Sequence, residues 1–130
     1  MSRVPTRWVS QMEGQLADAT RRLGAADRLL SSGDGSRALE EAYPGVMGAA
    51  MVRVWLADEP WHTQRNFQDL SRLVREALPA GFAMLFEMKQ GQRSFTGWRA
   101  EDARPLVEEA RAYVREVADQ LKQRQDAPPA

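Results

Sequence analysis

The chain contains no cysteine and a single histidine, His62. Without thiols there are no disulfides and no thiolate metal sites, which fits a cytosolic setting. With one imidazole, a zinc site would need three carboxylates, a donor set zinc does not favour, so neither metal nor cofactor is expected. Lysine is scarce as well: apart from Lys89 and Lys122, all positive charge is arginine. Arginine is the better fork for phosphate, although the coding bias of a GC-rich genome gives the same pattern. Neither sign of charge is in excess, with 18 Lys+Arg against 18 Asp+Glu. Global electrostatics therefore do not argue for nucleic-acid binding, and only a local patch stays open. No apolar run approaches the ~20 residues of a membrane span. The longest, 46–56, contains Arg53. The opening MSRVPTRWVSQMEGQ has no apolar core of a secretory signal. A cytoplasmic chain without membrane contact is expected.

What is present is helical pattern. The 130 residues, 43% hydrophobic and 28% charged, suit one domain with one core. No segment alternates as a β-strand. The first helix is expected to open at Thr6 as N-cap, with Trp8, Met12, Leu16, Ala19, Leu23, Ala26 and Leu30 on one stripe. Ser31–Gly35 is a stop and turn, and Asp34 or Ser36 can cap the second helix, which runs to about Ala57. That helix is apolar nearly all round, the mark of a central element. Its Gly45, Gly48 and Ala49 allow a close neighbour, and Pro44 removes one donor within it. Asp58-Glu59-Pro60 ends it. A third helix is expected over 64–78 with Phe67, Leu70, Val74 and Leu78 on one face, and Pro79-Ala80-Gly81 breaks the chain. The fourth carries Phe82, Leu85, Phe86 and Met88. The fifth begins near Ala100 with the cleanest stripe, Ala103 to Leu121, and tolerates Pro105 only in its first turn. Met47, Met51, Met84 and Met88 read as gap-filling core, with Met51 and Met88 the two that could instead serve a contact surface. The expected architecture is an all-α, up-and-down bundle of four to five helices over 1–122, with a disordered polar tail over 123–130.

The standard catalytic templates are absent: no Walker loop, no GxGxxG, no HExxH, no serine triad order. The pairs Glu40/Glu41 and Glu108/Glu109 are adjacent in sequence and point about 100° apart on a helix, so they read as solvated faces.

One arrangement stands out. Ala42-Tyr43 on a small-residue apolar helix is followed by His62-Thr63 at a turn, by a short helix with Phe67, and by an arginine segment before the last helix. In order and spacing, over roughly Leu23 to Leu121, this resembles the HEPN family of small all-helical bundles. Catalytic members of that family carry an Arg followed by four to six residues and a His. The His acts with the 2′-hydroxyl of RNA while the Arg steadies the scissile phosphate. Here Arg93 matches the Arg, but Trp98 stands at the shortest His position, followed by Arg99 and Ala100. Tryptophan cannot exchange a proton usefully. The resemblance thus implies a binding protein, non-catalytic, that takes a nucleotide, RNA or a partner such as a nucleotidyltransferase through the Arg93/Trp98 region. It also implies a homodimer.

Each residue has a plainer alternative. Arg93 either binds phosphate or ties its loop to a helix C-terminus. His62 is either a base from an unusual position, the core of a divergent metal-independent ribonuclease, or a turn residue beside Trp61. Arg53 lies on an otherwise apolar helix and needs a partner, for which Glu87 is a candidate, or it joins the ligand site. Trp55, Trp61 and Trp98 form an aromatic pocket, a dimer interface centred on Trp55 and Trp61, or ordinary core. A purely structural dimerisation module is the remaining reading.

Overall fold

The computed structural model describes residues 3–62, 67–89 and 95–126. Among these the ordered elements are α-helices: α1 (Thr6–Ser31), α2 (Gly35–Asp58), α3 (Phe67–Ala77), α4 (Ala80–Lys89) and α5 (Ala100–Asp126). The stripe expected on α1 is buried from Met12 through Leu30, with Trp8 half-buried at its start. The cap differs from expectation. Thr6 is the first helical residue, and Pro5 precedes it in extended conformation, its carbonyl accepting from Trp8 N at 2.9 Å and Val9 N at 3.0 Å. A proline at this place already has the backbone angle that launches a helix.

Gly33 turns the chain with φ 85°, a left-handed conformation that costs glycine nothing. The Asp34 carboxylate then caps α2, accepting from Arg37 N at 3.0 Å. α2 ends where Glu59 turns left-handed at φ 52°, its N–H donating to the Trp55 carbonyl at 3.0 Å. Pro44 lies inside α2 and removes the bond that would reach the Glu40 carbonyl. Pro105 also lies inside its helix, one turn later than expected, because α5 is already under way at Ala100.

Directions follow from the contacts. Val4 N meets Gln125 Oε1 at 3.1 Å, so the start of α1 lies by the end of α5 and the two are antiparallel. Gly45 sits on Ala19 and Gly48 on Gln15, so α1 and α2 are antiparallel as well. Trp98 bonds Ser36 at one end of α2, and Arg124 bonds Leu56 at the other, so α2 and α5 run parallel. The short helices α3 and α4 make the return between them. Val54 and Ala57 of α2 share a groove with Leu73 and Ala77 of α3, while Lys89 at the end of α4 reaches Glu40 near the start of α2. The bundle therefore has four legs, the third broken at Leu78-Pro79. Proline at 79 cannot donate in a continuing helix, and its carbonyl instead starts α4 by accepting from Phe82 N and Ala83 N, both at 2.9 Å.

α2 is central and packs against α1, α3 and α5. A Cβ added at Gly45 would stand 3.1 Å from the Ala19 Cα, so the helices meet almost backbone to backbone. On α5 the expected stripe is buried, and it continues beyond the expected end: the helix runs to Asp126, and Arg124 is only 4% exposed. Residues 123–126 are thus helical rather than part of a tail. Met84 and Met88 are not core fillers; they are 49% and 48% exposed on α4, while Met47 and Met51 are half-buried against the core.

Two glycine substitutions test this packing by urea denaturation. Gly14 has nothing within 4 Å of an added Cβ. Gly14→Ala should therefore stabilise the protein by about 0.5–1 kcal/mol through helix propensity. Gly45→Leu should destabilise it by about 1–3 kcal/mol, because the added carbons meet the α1 backbone. Equal and small effects at both sites would contradict the close α1–α2 approach.

Candidate functional site

Three polar features lie along α2, and the expected site residues distribute over all of them. At its first turns sits the segment Phe95–Arg99. Arg93 itself, like Thr63 of the expected turn motif, lies outside the described residues. Trp98 is half-buried, and its backbone N–H donates to Ser36 Oγ at 2.9 Å. The Glu40 carboxylate takes the Phe95 N–H on one oxygen and Lys89 Nζ, at 3.1 Å, on the other. Lys89 also lies 4.5 Å from the Phe95 ring centroid and 5.0 Å from that of Tyr43, and these two rings meet edge to face at 5.6 Å. A Cβ on Gly35 would fall 2.3 Å from the Arg99 carbonyl oxygen, so only glycine lets the segment come this close. Gly97 supplies the bend with φ 78°. Glu40, expected to be solvated, is in fact the residue that fastens this segment to α2.

At the far end of α2 stand His62 and the tryptophans. His62 is exposed; its backbone N–H donates to the Glu59 carbonyl at 2.9 Å and its ring lies 6.1 Å from that of Trp61. Trp55 and Trp61 both pack on Trp8, with ring centroids at 5.4 Å and 5.9 Å. This intramolecular cluster accounts for much of their apolar surface. Arg124 lies over Trp61 at 5.8 Å and donates to the Leu56 carbonyl and the Glu59 carboxylate. The charged side chain thus neutralises the last carbonyls of α2 in a buried place. Trp61 Nε1 is buried with no acceptor among the described residues.

Between these ends lies Arg53. Its expected partner, Glu87, pairs with Arg75 instead, because Glu87 is on the exposed side of α4 beside α3. Arg53 is half-buried, its guanidinium 5.7 Å from the Tyr113 ring centroid. Tyr113 Oη donates to the Ala77 carbonyl at 2.7 Å and so ties α5 to α3. Burial pushes the Tyr113 phenol above its ordinary value, while the charge of Arg53 and a hydrogen bond from it pull the other way and Glu116 adds to the rise. Burial likewise raises Tyr43.

Among the described residues no three His, Cys, Asp or Glu side chains cluster to hold a metal. His62 does not meet the Phe95–Arg99 segment within one chain: from Glu40 to Glu59, α2 alone spans roughly 28 Å at 1.5 Å per residue. Trp98, His62, Arg53 and the Trp55/Trp61 pair therefore occupy three separate places. Sequence reasoning missed Glu40, Lys89 and Arg124. Arg124 had a legible signal, since it extends the Val117, Leu121 stripe by three; for Glu40 and Lys89 no pattern in the chain marks the pairing. Comparison with family models, curated proteins and solved structures finds no match for this chain.

Glu40→Ala removes the acceptor of both Lys89 and the Phe95 N–H and should cost about 1–3 kcal/mol. Amide exchange at Phe95 and Trp98 should rise with it; unchanged protection there would contradict the anchoring role. Alkaline titration checks the phenols. A raised folded value means their contribution to stability is complete below the ordinary tyrosine range near pH ~10 and fades as pH climbs through the folded value. Tyr43 and Tyr113 are the only tyrosines, so phenolate absorbance should rise later in the folded than in the urea-unfolded protein. Coincident curves would contradict the burial of both.

Proposed function

We propose that this chain is a HEPN-like, non-catalytic binding protein whose ligand, a nucleotide, RNA or a nucleotidyltransferase partner, is taken at the Arg93/Trp98 region. The supporting observation is the seating of Phe95–Arg99. Two side chains of α2, Ser36 and Glu40, accept from the backbone N–H groups of Trp98 and Phe95. A segment seated in this way presents Trp98 from a fixed place, which lowers the ordering cost of binding. The non-catalytic half of the reading draws on three side chains among the described residues. Lys89 is engaged by Glu40, Trp98 has no useful proton, and His62 is at the opposite end of α2. A ribonuclease that uses His62 at the Phe95–Arg99 segment would need a second chain to bring them together.

A homodimer belongs to the same proposal. Among the described residues the large apolar side chains left exposed are Met84 and Met88, one helical turn apart on α4. α4 is apolar on most sides yet packs only against α3 and α5 among the well-contacted pairs. This makes α4, rather than Trp55 and Trp61, the apolar surface on offer.

Binding of a fluorescent RNA oligomer to Arg93→Ala tests the reading. The expected result is a loss of tenfold or more with an unchanged melting curve, one charge-assisted contact being worth about that much. Undiminished affinity would remove the Arg93 region from the proposal. Trp98→His restores the shortest form of the family's motif, and RNA cleavage gained by that variant is expected if the family placement holds.

A further inference from the structure

Five cations among the described residues are buried or half-buried: Arg22, Arg53, Lys89, Arg111 and Arg124. Four of them bridge a carboxylate. Arg22 pairs with Asp18 at 2.9 Å and with Glu41 at 3.7 Å, Lys89 with Glu40 at 3.1 Å, Arg111 with Asp27, and Arg124 with Glu59. Arg53 bridges none. The contact shown for it is with Tyr113, as a cation 5.7 Å from the ring centroid. A guanidinium carries five N–H donors, so this contact leaves most of them for another acceptor. Withdrawing a cation from water without an opposing charge bonded to it is unfavourable, and among the other described cations of comparable burial it does not occur.

The surroundings of Arg53 are concave and mainly apolar. A groove of about 270 Å³ between α2 and α3 is lined by Arg53, Val54, Asp58, Leu73, Glu76 and Ala77. A second, of about 300 Å³ between α2 and α5, is lined by Arg53, Leu56, Gln120 and Gln123. The two share Arg53 and Ala57, and Ala57 is exposed, so α2 presents no bulky side chain between them. Volumes near 300 Å³ are at the small end of ligand sites.

We propose that Arg53 is the anion-binding residue of a site for a small apolar monocarboxylate, whose body lies in the grooves beside α2. One guanidinium matches one carboxylate in a planar fork. A doubly charged phosphate monoester suits the place less, because Asp58 and Glu76 line the same groove and the other nearby cation, Arg124, is held by Glu59. The apolar walls supply the remainder through burial of a short hydrocarbon or ring. This site is independent of the Arg93/Trp98 region, about 20 Å further along α2 from Glu40 at 1.5 Å per residue.

Octanoate is the probe, titrated into the ¹⁵N-labelled protein and followed by amide shifts. Saturable shifts are expected at Ala57, Leu73 and Ala77. Arg53→Gln should weaken binding at least tenfold, and 1-octanol should bind the native protein at least tenfold more weakly than octanoate. Ala57→Trp fills the groove while keeping Arg53 and should cause the same loss, which covers the case in which Arg53→Gln disturbs folding. The proposal is overturned by no saturable shift with octanoate, by octanol binding as well as octanoate, or by full affinity in both variants. Tighter binding of octyl phosphate would overturn the carboxylate assignment.

Discussion

The backbone-to-backbone meeting of α1 and α2 at Ala19 and Gly45 is the constraint on which the remaining geometry rests. Where two helices have no side chains between them, their axes are brought well inside the usual spacing, and the register is fixed because only one glycine step accommodates the contact. α2 is then thin enough to be enclosed by α1, α5 and α3 while burying only Ala, Val, Leu and Gly. Its apolar character all round is the sequence form of that enclosure. Polar chemistry on α2 is confined to what the neighbours leave uncovered: the first turns, the strip at Arg53 and Ala57, and the left-handed exit at Glu59.

Several charged side chains are used where helices start, stop or break. The Glu109 carboxylate accepts from Gly81 N at 2.8 Å, at the beginning of α4. A carboxylate there complements both the unpaired donors and the positive end of the helix. Arg124 performs the opposite service for the last carbonyls of α2, and Glu40 takes the amide of Phe95 in a segment with no ladder of its own. Each group sits at an interruption the topology requires. Breaking the third leg at Pro79 creates orphan donors at the start of α4, and the return to α5 leaves Phe95–Arg99 without regular hydrogen bonds. Burial holds the bundle along its length, and charge-assisted bonds add to it at these interruptions and at the Arg22–Glu41 and Arg111–Asp27 pairs.

This division explains what was legible in the sequence. Burial follows helical period, so the stripes of α1 and α5, the enclosed nature of α2 and the break at Pro79 could be read before any contact was known. End-ties follow tertiary proximity and have no period. Glu40 and Glu41 are neighbours in the chain, yet one serves Lys89 and Phe95 while the other reaches Arg22. The 100° between them decides it, and nothing in composition says which side faces which helix. The same holds for Arg53 and Glu87: both lie on helices read correctly, but α3 interposes Arg75, which takes the carboxylate. The merging of α3 and α4 into one leg was hidden for a related reason. Two short helices and a proline look like two elements until their common direction, from the end of α2 back to its beginning, is seen.

α2 also determines how the proposed sites can relate. The Phe95–Arg99 segment and Arg53 are borne by the same helix yet share no side chain. Coupling between them would require α2 to have two arrangements that each ligand distinguishes. A shift of α2 along its axis would take Gly45 off the Cα of Ala19 and bring a residue with a Cβ, Ala42, Val46 or Ala49, or else Gly48, to that place. Packed interfaces of this kind have few discrete alternatives rather than a soft continuum. The two ends of α2 are therefore mechanically joined but energetically separate. An anion held near Trp98 and a carboxylate held at Arg53 should bind without regard to one another, unless a second chain spans both.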